Sequence, residues 1–367
     1  MAQATVSTQD FGRETHRRAI RRWLGVVALM VFVMVIVGGA TRLTDSGLSI
    51  VEWRPVTGAI PPLTEAQWLV ELEKYRQIPE YQLINKGMSL DDFKFIYWWE
   101  WSHRQLGRLI GLAFALPLAF FWVRGWLEPK LKPRLLGLLV LGGSQGALGW
   151  WMVASGLTER TDVSQYRLAA HLTLASVILV AILWVMRSIA PVSRADRRGT
   201  REAVTAGLLF ALVLFQIFLG GLVAGLDAGL SHTTWPLMDG HFIPPAGALY
   251  VMTPGWANHF ENVLTVQFQH RMAAYLIVIL AVWHMLDLGR VDGAAARRAT
   301  VIGGMALARA GLGVLTLLLQ VPLWAGLLHQ GFAIVLLAMT TVHFHAIRRD
   351  RQQQAEPSRV ATTPAMA

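Results

Sequence analysis

The chain has no cysteine among its 367 residues. That excludes disulfides, thiolate-held iron–sulfur clusters, zinc ribbons and dithiol redox chemistry. Charge is scarce too: 15% of residues are Asp, Glu, Lys or Arg, against 54% hydrophobic. The apolar residues come in long blocks, which points to a polytopic membrane protein. The formal net charge of +10 does not signal nucleic acid, because the basic residues flank the apolar blocks, where a membrane protein keeps them. No small-residue cleavage site follows the first block, which Arg17, Arg18, Arg21 and Arg22 precede. A first membrane helix is therefore expected, and not a removed signal peptide.

Eight apolar blocks lie at about 23–41, 97–123, 134–157, 167–189, 203–226, 265–288, 299–320 and 323–346. Each is close to the roughly 20 residues that cross a bilayer core. The expected fold is an all-α polytopic membrane protein with eight transmembrane helices in two pseudo-symmetric four-helix bundles. Residues 1–22 are expected to be a cytoplasmic tail, 23–190 the first bundle with a loop over 44–96, and 191–202 a basic linker. Residues 203–347 form the second bundle with a loop over 227–264, and 348–367 a disordered tail. The mixed segment 48–94 is too polar to span, and a short helical pattern falls near 64–76. The 227–264 loop contains no Lys or Arg, whereas the turns at 124–134, 187–201 and 290–298 and both ends are basic. The Lys/Arg bias puts both termini in the cytoplasm and both long loops outside.

An internal repeat supports the pairing of bundles. Gly38 through Ser49 aligns without gaps on Gly220 through Ser231, with six of twelve positions identical. Trp53 then matches Trp235, Pro61-Pro62 matches Pro244-Pro245, and Trp101-Ser102-His103-Arg104 matches Phe268-Gln269-His270-Arg271. Copies with an even number of spans enter the membrane from the same side, as parallel repeats do.

Eleven histidines are present, and four stand near the outer ends of alternate spans: His103, His171, His270 and His329. Each repeat thus supplies two imidazoles at one depth, a way to clamp a heme iron from both sides. Zinc fits less well, since neither half shows a third or fourth ligand. The remaining histidines, at 16, 232, 241, 259, 284, 343 and 345, carry no pattern. Glu100 precedes His103 by three residues, so the two share a helix face, whereas Gln267 precedes His270. A carboxylate in one half only argues for one reactive site and one electron-handling site. Arg309 falls near the middle of the seventh span; it is expected to snorkel to the inner surface, with a heme propionate as the alternative partner. Gly142-Gly143 and Gly303-Gly304 offer faces for contact within a bundle or between copies.

At these residues the chain resembles the heme A synthase family, in a cysteine-free form. The match runs from Gly38-Gly39-Ala40-Thr41-Arg42 through Glu100-Trp101-Ser102-His103-Arg104 and Gly149–Leu157 to Leu328-His329-Gln330. The resemblance implies oxidation of the C8 methyl group of heme O to a formyl group by successive hydroxylations. It implies heme O as substrate between His103 and His171 in the first half, and heme b between His270 and His329 in the second. Glu100 matches the family's essential acidic residue. Implied partners are heme O itself, the farnesyltransferase that produces it, oxidase assembly factors, membrane lipid and an electron acceptor that the resemblance leaves open; a second copy of the chain is a partner only by way of the glycine faces, for which contact within the bundle is the favoured reading. The implied location is a bacterial inner membrane. The residues alone also allow a non-enzymatic di-heme b electron carrier, in which Glu100 has no role, and a repeat-built transporter, which broken midplane helices would mark.

Overall fold

The computed structural model describes residues 8–191, 199–290 and 293–355. Twelve α-helices are found there, eight of them long and apolar enough to cross a membrane. The first is α1 (Thr8–Leu43), and the loop after it holds α2 (Glu65–Tyr75) and α3 (Pro79–Leu83). Then come α4 (Leu90–Val123), α5 (Lys132–Ala154), α6 (Gln165–Ser188) and α7 (Thr200–Gly225). The second long loop carries the single-turn α8 (Ala246–Leu249) and α9 (Asn258–Glu261). The chain closes with α10 (Val263–Leu288), α11 (Ala294–Leu318) and α12 (Leu323–Ala355).

The long helices sort into two bundles. In the first, α1 packs on α4 and α6, and α5 on α6; in the second, α7 packs on α10 and α12, and α11 joins α10 to α12. The helices α1, α6, α7 and α12 meet at the seam between bundles. One apolar core runs through that seam, with Leu24, Val35, Ile182, Leu209 and Leu337 all buried. The seam is tightest where α7 meets α6. A Cβ added at Gly221 would lie 2.7 Å from Ala169 Cα, and one at Gly225 would lie 2.6 Å from Gln165 Cα. Glycines four apart let two helix backbones touch, which is how lipid-embedded helices associate without a hydrophobic drive. The bundles are not equally closed: 6% of the apolar window of α5 is buried, against 28% for α11, its counterpart.

Both long loops sit at one end of the bundles, here called the loop end. The first is a small folded lid. Thr64 and Gln67 form a capping box that starts α2, and Ser89 caps α4 through the Asp92 amide. Trp68, Leu72, Tyr75, Phe93 and Tyr97 make its core. The short helix expected near 64–76 is therefore α2. The lid core also explains why α4 begins at Leu90, seven residues before the apolar block: its first two turns pack against α2. Within the lid, Glu80 is 5% exposed and its Oε2 has no hydrogen-bond partner. Burial pushes that carboxyl up to about 8.

Two boundaries differ from expectation. The helix α1 starts at Thr8, inside the stretch read as tail, and α12 continues to Ala355 through residues 348–355, read as disordered. The α12 extension is tied down: Arg349 donates to the Arg187 and Ala190 carbonyls, and the Arg348 guanidinium lies 5.5 Å over the Trp184 ring. Arg and Gln are good helix formers, so little opposes continuing the helix once those contacts exist. Residues 1–7, 356–367 and the linker arginines 194, 197 and 198 lie outside the described residues.

Candidate functional site

All four histidines of the pattern fall on the expected helices, His103 on α4, His171 on α6, His270 on α10 and His329 on α12. His171, His270 and His329 each stand within two turns of their helix's loop-end terminus. Each ring lies against a glycine of a neighbouring helix. A Cβ at Gly38 would be 3.1 Å from His103 Nε2, and one at Gly220 would be 3.4 Å from His270 Cε1. A Cβ at Gly149 would be 2.9 Å from His171 Cε1, and one at Gly313 would be 2.7 Å from His329 Cε1. The repeat therefore builds the same device four times, an imidazole laid on bare backbone.

In the second bundle the two rings face each other, with centroids 6.4 Å apart. Imidazole–metal bonds of about 2 Å on both sides, plus the inner half of each ring, add to about 6 Å. The spacing thus fits one metal ion held between the two imidazoles. His329 Nδ1 is buried and has no partner. In the first bundle His103 lies within electrostatic reach of His171. Among the described residues, no group of three or more His, Asp or Glu side chains is arranged to hold an ion by itself.

Two glutamines hold the rings from the side. The Gln216 amide donates to the His270 carbonyl at 2.9 Å and stands 3.2 Å from both ring nitrogens. The Gln145 amide donates to the His171 carbonyl at 3.1 Å and stands 3.3 Å from its Nε2.

Glu100 is 2% exposed, and both its oxygens are engaged. Oε1 accepts from Arg104 Nη2 at 2.6 Å and Nε at 3.0 Å. Oε2 accepts from the Ile50 amide at 2.7 Å and the Ser49 hydroxyl at 2.8 Å. Arg104 goes on to the Ile50 and Glu52 carbonyls. The group therefore sutures the start of the first loop to α4. The second half repeats the suture with neutral chemistry: Gln267 donates to the Ala228 and Ser231 carbonyls, and Arg271 to those of His232 and Thr234. His232 and Thr234 are the repeat partners of Ile50 and Glu52. Arg42 links the halves at the same end, pairing with Asp45 at 2.8 Å and with Asp227 at 2.7 Å.

Arg309 does not snorkel. Its residue is 7% exposed and its Nε is buried without a partner. It lies within electrostatic reach of both His270 and His329. The reason is rotational: Arg309 is four residues from Gly313, so it shares the face of α11 that looks into the bundle. Gly303 packs against Met285 of its own bundle, while nothing lies within 4 Å of a Cβ at Gly142, Gly143 or Gly304. His284 and His343, read as carrying no pattern, are buried against each other, Nε2 to Nε2 at 2.8 Å, with Thr205 on His284 Nδ1.

One contact joins the two sites. Gln330, next to His329, donates to the Val35 carbonyl of α1 at 3.0 Å. Its Oε1 fills the place of the missing side chain at Gly39, where a Cβ would lie 1.8 Å away. Gly39 is the neighbour of Gly38, on which His103 rests.

Residues 21–341 match the cytochrome oxidase assembly protein family. A heme A synthase of Azorhizobium caulinodans is 57% identical over 337 residues, covering 92% of this chain and 95% of the relative. Heme A synthases of Rhizobium meliloti and Mesorhizobium japonicum are 52% and 54% identical, over 94% and 91% of this chain and 95% and 92% of theirs.

Proposed function

The chain belongs to the cytochrome oxidase assembly protein family, among its heme A synthases, and we propose that its first bundle binds and oxidises heme O while its second holds heme b. A heme A synthase converts heme O to heme A, so the C8 methyl group becomes a formyl group. The named relatives do not favour the electron-carrier alternative.

His103 and His171 hold the substrate, resting on Gly38 and Gly149. His270 and His329 hold heme b, whose bound iron supplies one-electron redox chemistry. Glu100 is the acidic residue of the substrate side. Because Arg104, Ser49 and Ile50 saturate its oxygens, it acts as a fixed charge and anchor and not as a free base. The dipoles and charges of that suture stay oriented while positive charge develops on the substrate, which is where preorganisation counts most. The observation that carries this reading is the asymmetry: four histidine–glycine pairs are alike, and a carboxylate stands beside one pair only.

Glu100→Gln tests it, since Gln267 beside Arg271 proves that an amide can close such a loop. The variant is expected to fold and to keep heme b, yet to make less than about a hundredth of the heme A, within the range for a lost electrostatic donor. Mass analysis of the co-purified hemes reads the result, with heme O or a hydroxylated heme accumulating. Heme A at the parent rate would show that the carboxylate is structural only.

The loop end is proposed to face away from the cytoplasm, as the basic residues at the opposite end suggest, among them Arg124, Lys130, Arg187, Arg290 and Arg348. The cysteine-free chain is its own background for labelling. Cysteines placed at the exposed Lys86 and Gly247 should react with an impermeant maleimide in intact cells. Reaction only after the cells are opened reverses the orientation.

A further inference from the structure

The two halves differ in charge at two matched places, and both differences run the same way. At the first, Glu100 neutralises Arg104 at 2.6 Å, whereas Gln267 leaves Arg271 with carbonyl partners only and a buried, unpartnered Nε. The exposed Asp239, itself bound to His232, is the acid that acts on Arg271. At the second, the residue four before the ring-bearing glycine is Gln145 on α5 but Arg309 on α11. Gln145 spends its amide on His171. No hydrogen bond or ion pair joins the Arg309 side chain to any other described residue, although it is more than nine-tenths buried. The first histidine pair thus stands beside an amide and an ion pair, whose cation, Arg104, also acts on His103. In the second, Arg309 acts on both His270 and His329, and Arg271 acts on His270.

A buried, uncompensated guanidinium within a membrane helix is costly, and such residues are kept for function. A heme b bound beside Arg309 would offset that cost with its propionate carboxylates, and the remaining field of the cation would act on the iron. A metal ion between His270 and His329 loses one unit of positive charge each time it accepts an electron. Cations held close to it in a poorly screened interior favour that reduced form.

We propose that Arg309 and Arg271 set the second histidine pair apart as a site of raised reduction potential, with Arg309 the dominant charge, buried and without a counterpart in the first half. The proposal rests on the reading that this pair holds heme b. It assigns the cations a purely electrostatic effect on the ferric–ferrous equilibrium, one electron in and one positive charge fewer. His103 and His171 have no counterpart of Arg309, since Gln145 stands in its place, and the cation that acts on His103, Arg104, is paired with the Glu100 carboxylate.

The test swaps each residue for its counterpart in the other half, in the full-length purified protein with its heme. Redox titration followed by the low-spin absorption band gives the midpoint. Arg309→Gln should shift the ferrous-to-ferric ratio about tenfold toward ferric, a fall of about 59 mV for one electron. Gln267→Glu, which supplies Arg271 with the carboxylate Arg104 has, should lower it in the same direction. Arg309→Lys keeps the charge and should stay near the parent value. A six-coordinate spectrum with unchanged or raised midpoints in Arg309→Gln and Gln267→Glu overturns the proposal. If Arg309→Gln sheds its heme, Gln267→Glu decides alone. A low-spin heme spectrum unchanged from the parent's in both the His270→Ala and the His329→Ala variants would instead sink the assignment of heme b to this pair.

Discussion

A methyl group at position 313 tests the glycine device at its tightest point. In Gly313→Ala the new carbon would lie 2.7 Å from His329 Cε1 and 3.3 Å from Nδ1. Carbon contacts are comfortable from about 3.5 Å, so the ring must retreat by about 0.8 Å. An empty site can absorb this, because a free imidazole swings about its side-chain torsions. A ring fixed to a metal cannot, and it already faces His270 at a centroid distance of 6.4 Å. Overpacking of this size costs about 1–3 kcal/mol, or about 5- to 150-fold in retention of the bound group. The helix itself gains, since Ala outranks Gly by about 1 kcal/mol in a helix interior. The two effects have opposite signs: the heme-free chain should unfold at the same or a higher temperature, while heme is lost faster on dialysis. Gly220→Ala is the control, because 3.4 Å from His270 Cε1 is close to an ordinary contact. Heme held equally well by the Gly313→Ala and parent proteins would refute the reasoning.

Two further outcomes follow from the fold. Burial holds the Glu80 carboxyl near 8 in place of its ordinary 4.5. Below about pH 4.5 it is neutral folded or unfolded and costs nothing; from there to about pH 8 only the unfolded form ionises, so the lid loses stability, by about 4–5 kcal/mol at the plateau. Limited proteolysis should cut the 76–90 segment faster at pH 9 than at pH 6, and Glu80→Gln should level the two rates; equal rates in the parent would contradict the assignment. At the seam, Gly225→Leu drives a side chain into the backbone of α6 at Gln165 and should lower thermal stability in detergent by about 1–3 kcal/mol. Gly142→Leu, which meets nothing within 4 Å, should leave it unchanged, and equal effects of the two would mean the α6–α7 contact is not a tight one.

The sequence reveals much of this arrangement because its signals are local or repeated. The eight blocks are long, and the Gly38–Ser49 repeat keeps its spacing, so the bundles and the paired histidines can be read directly. The glycines under His171 and His329 are harder to see. Gly38 and Gly220 are offset by the spacing of the repeat, but Gly149 and Gly313 are not, since the loops before them differ in length. The lid core is hidden for another reason: the Trp68, Tyr75 and Phe93 that bury one another are too sparse to give a block. Hydropathy also averages over a helix's circumference. It places Arg309 in the membrane without saying which way it faces, and only the neighbouring helices decide that. The engagement of Glu100 with Ser49 and Ile50 is a contact between distant stretches, which spacing cannot report.

The contact of Gln330 with α1 has a mechanical consequence. His329 and Gln330 are consecutive on one helix, Gly38 and Gly39 on another, and the pair of junctions forms a party wall between two rooms. Whatever displaces an occupant on one side presses on the other through a single residue's thickness. Each half can be altered alone at its far helices, α5 or α11, but the wall belongs to both. A larger residue at position 39 therefore disturbs both histidine pairs in the same stroke, and the two halves, though duplicated in chain, are a single machine at that plane.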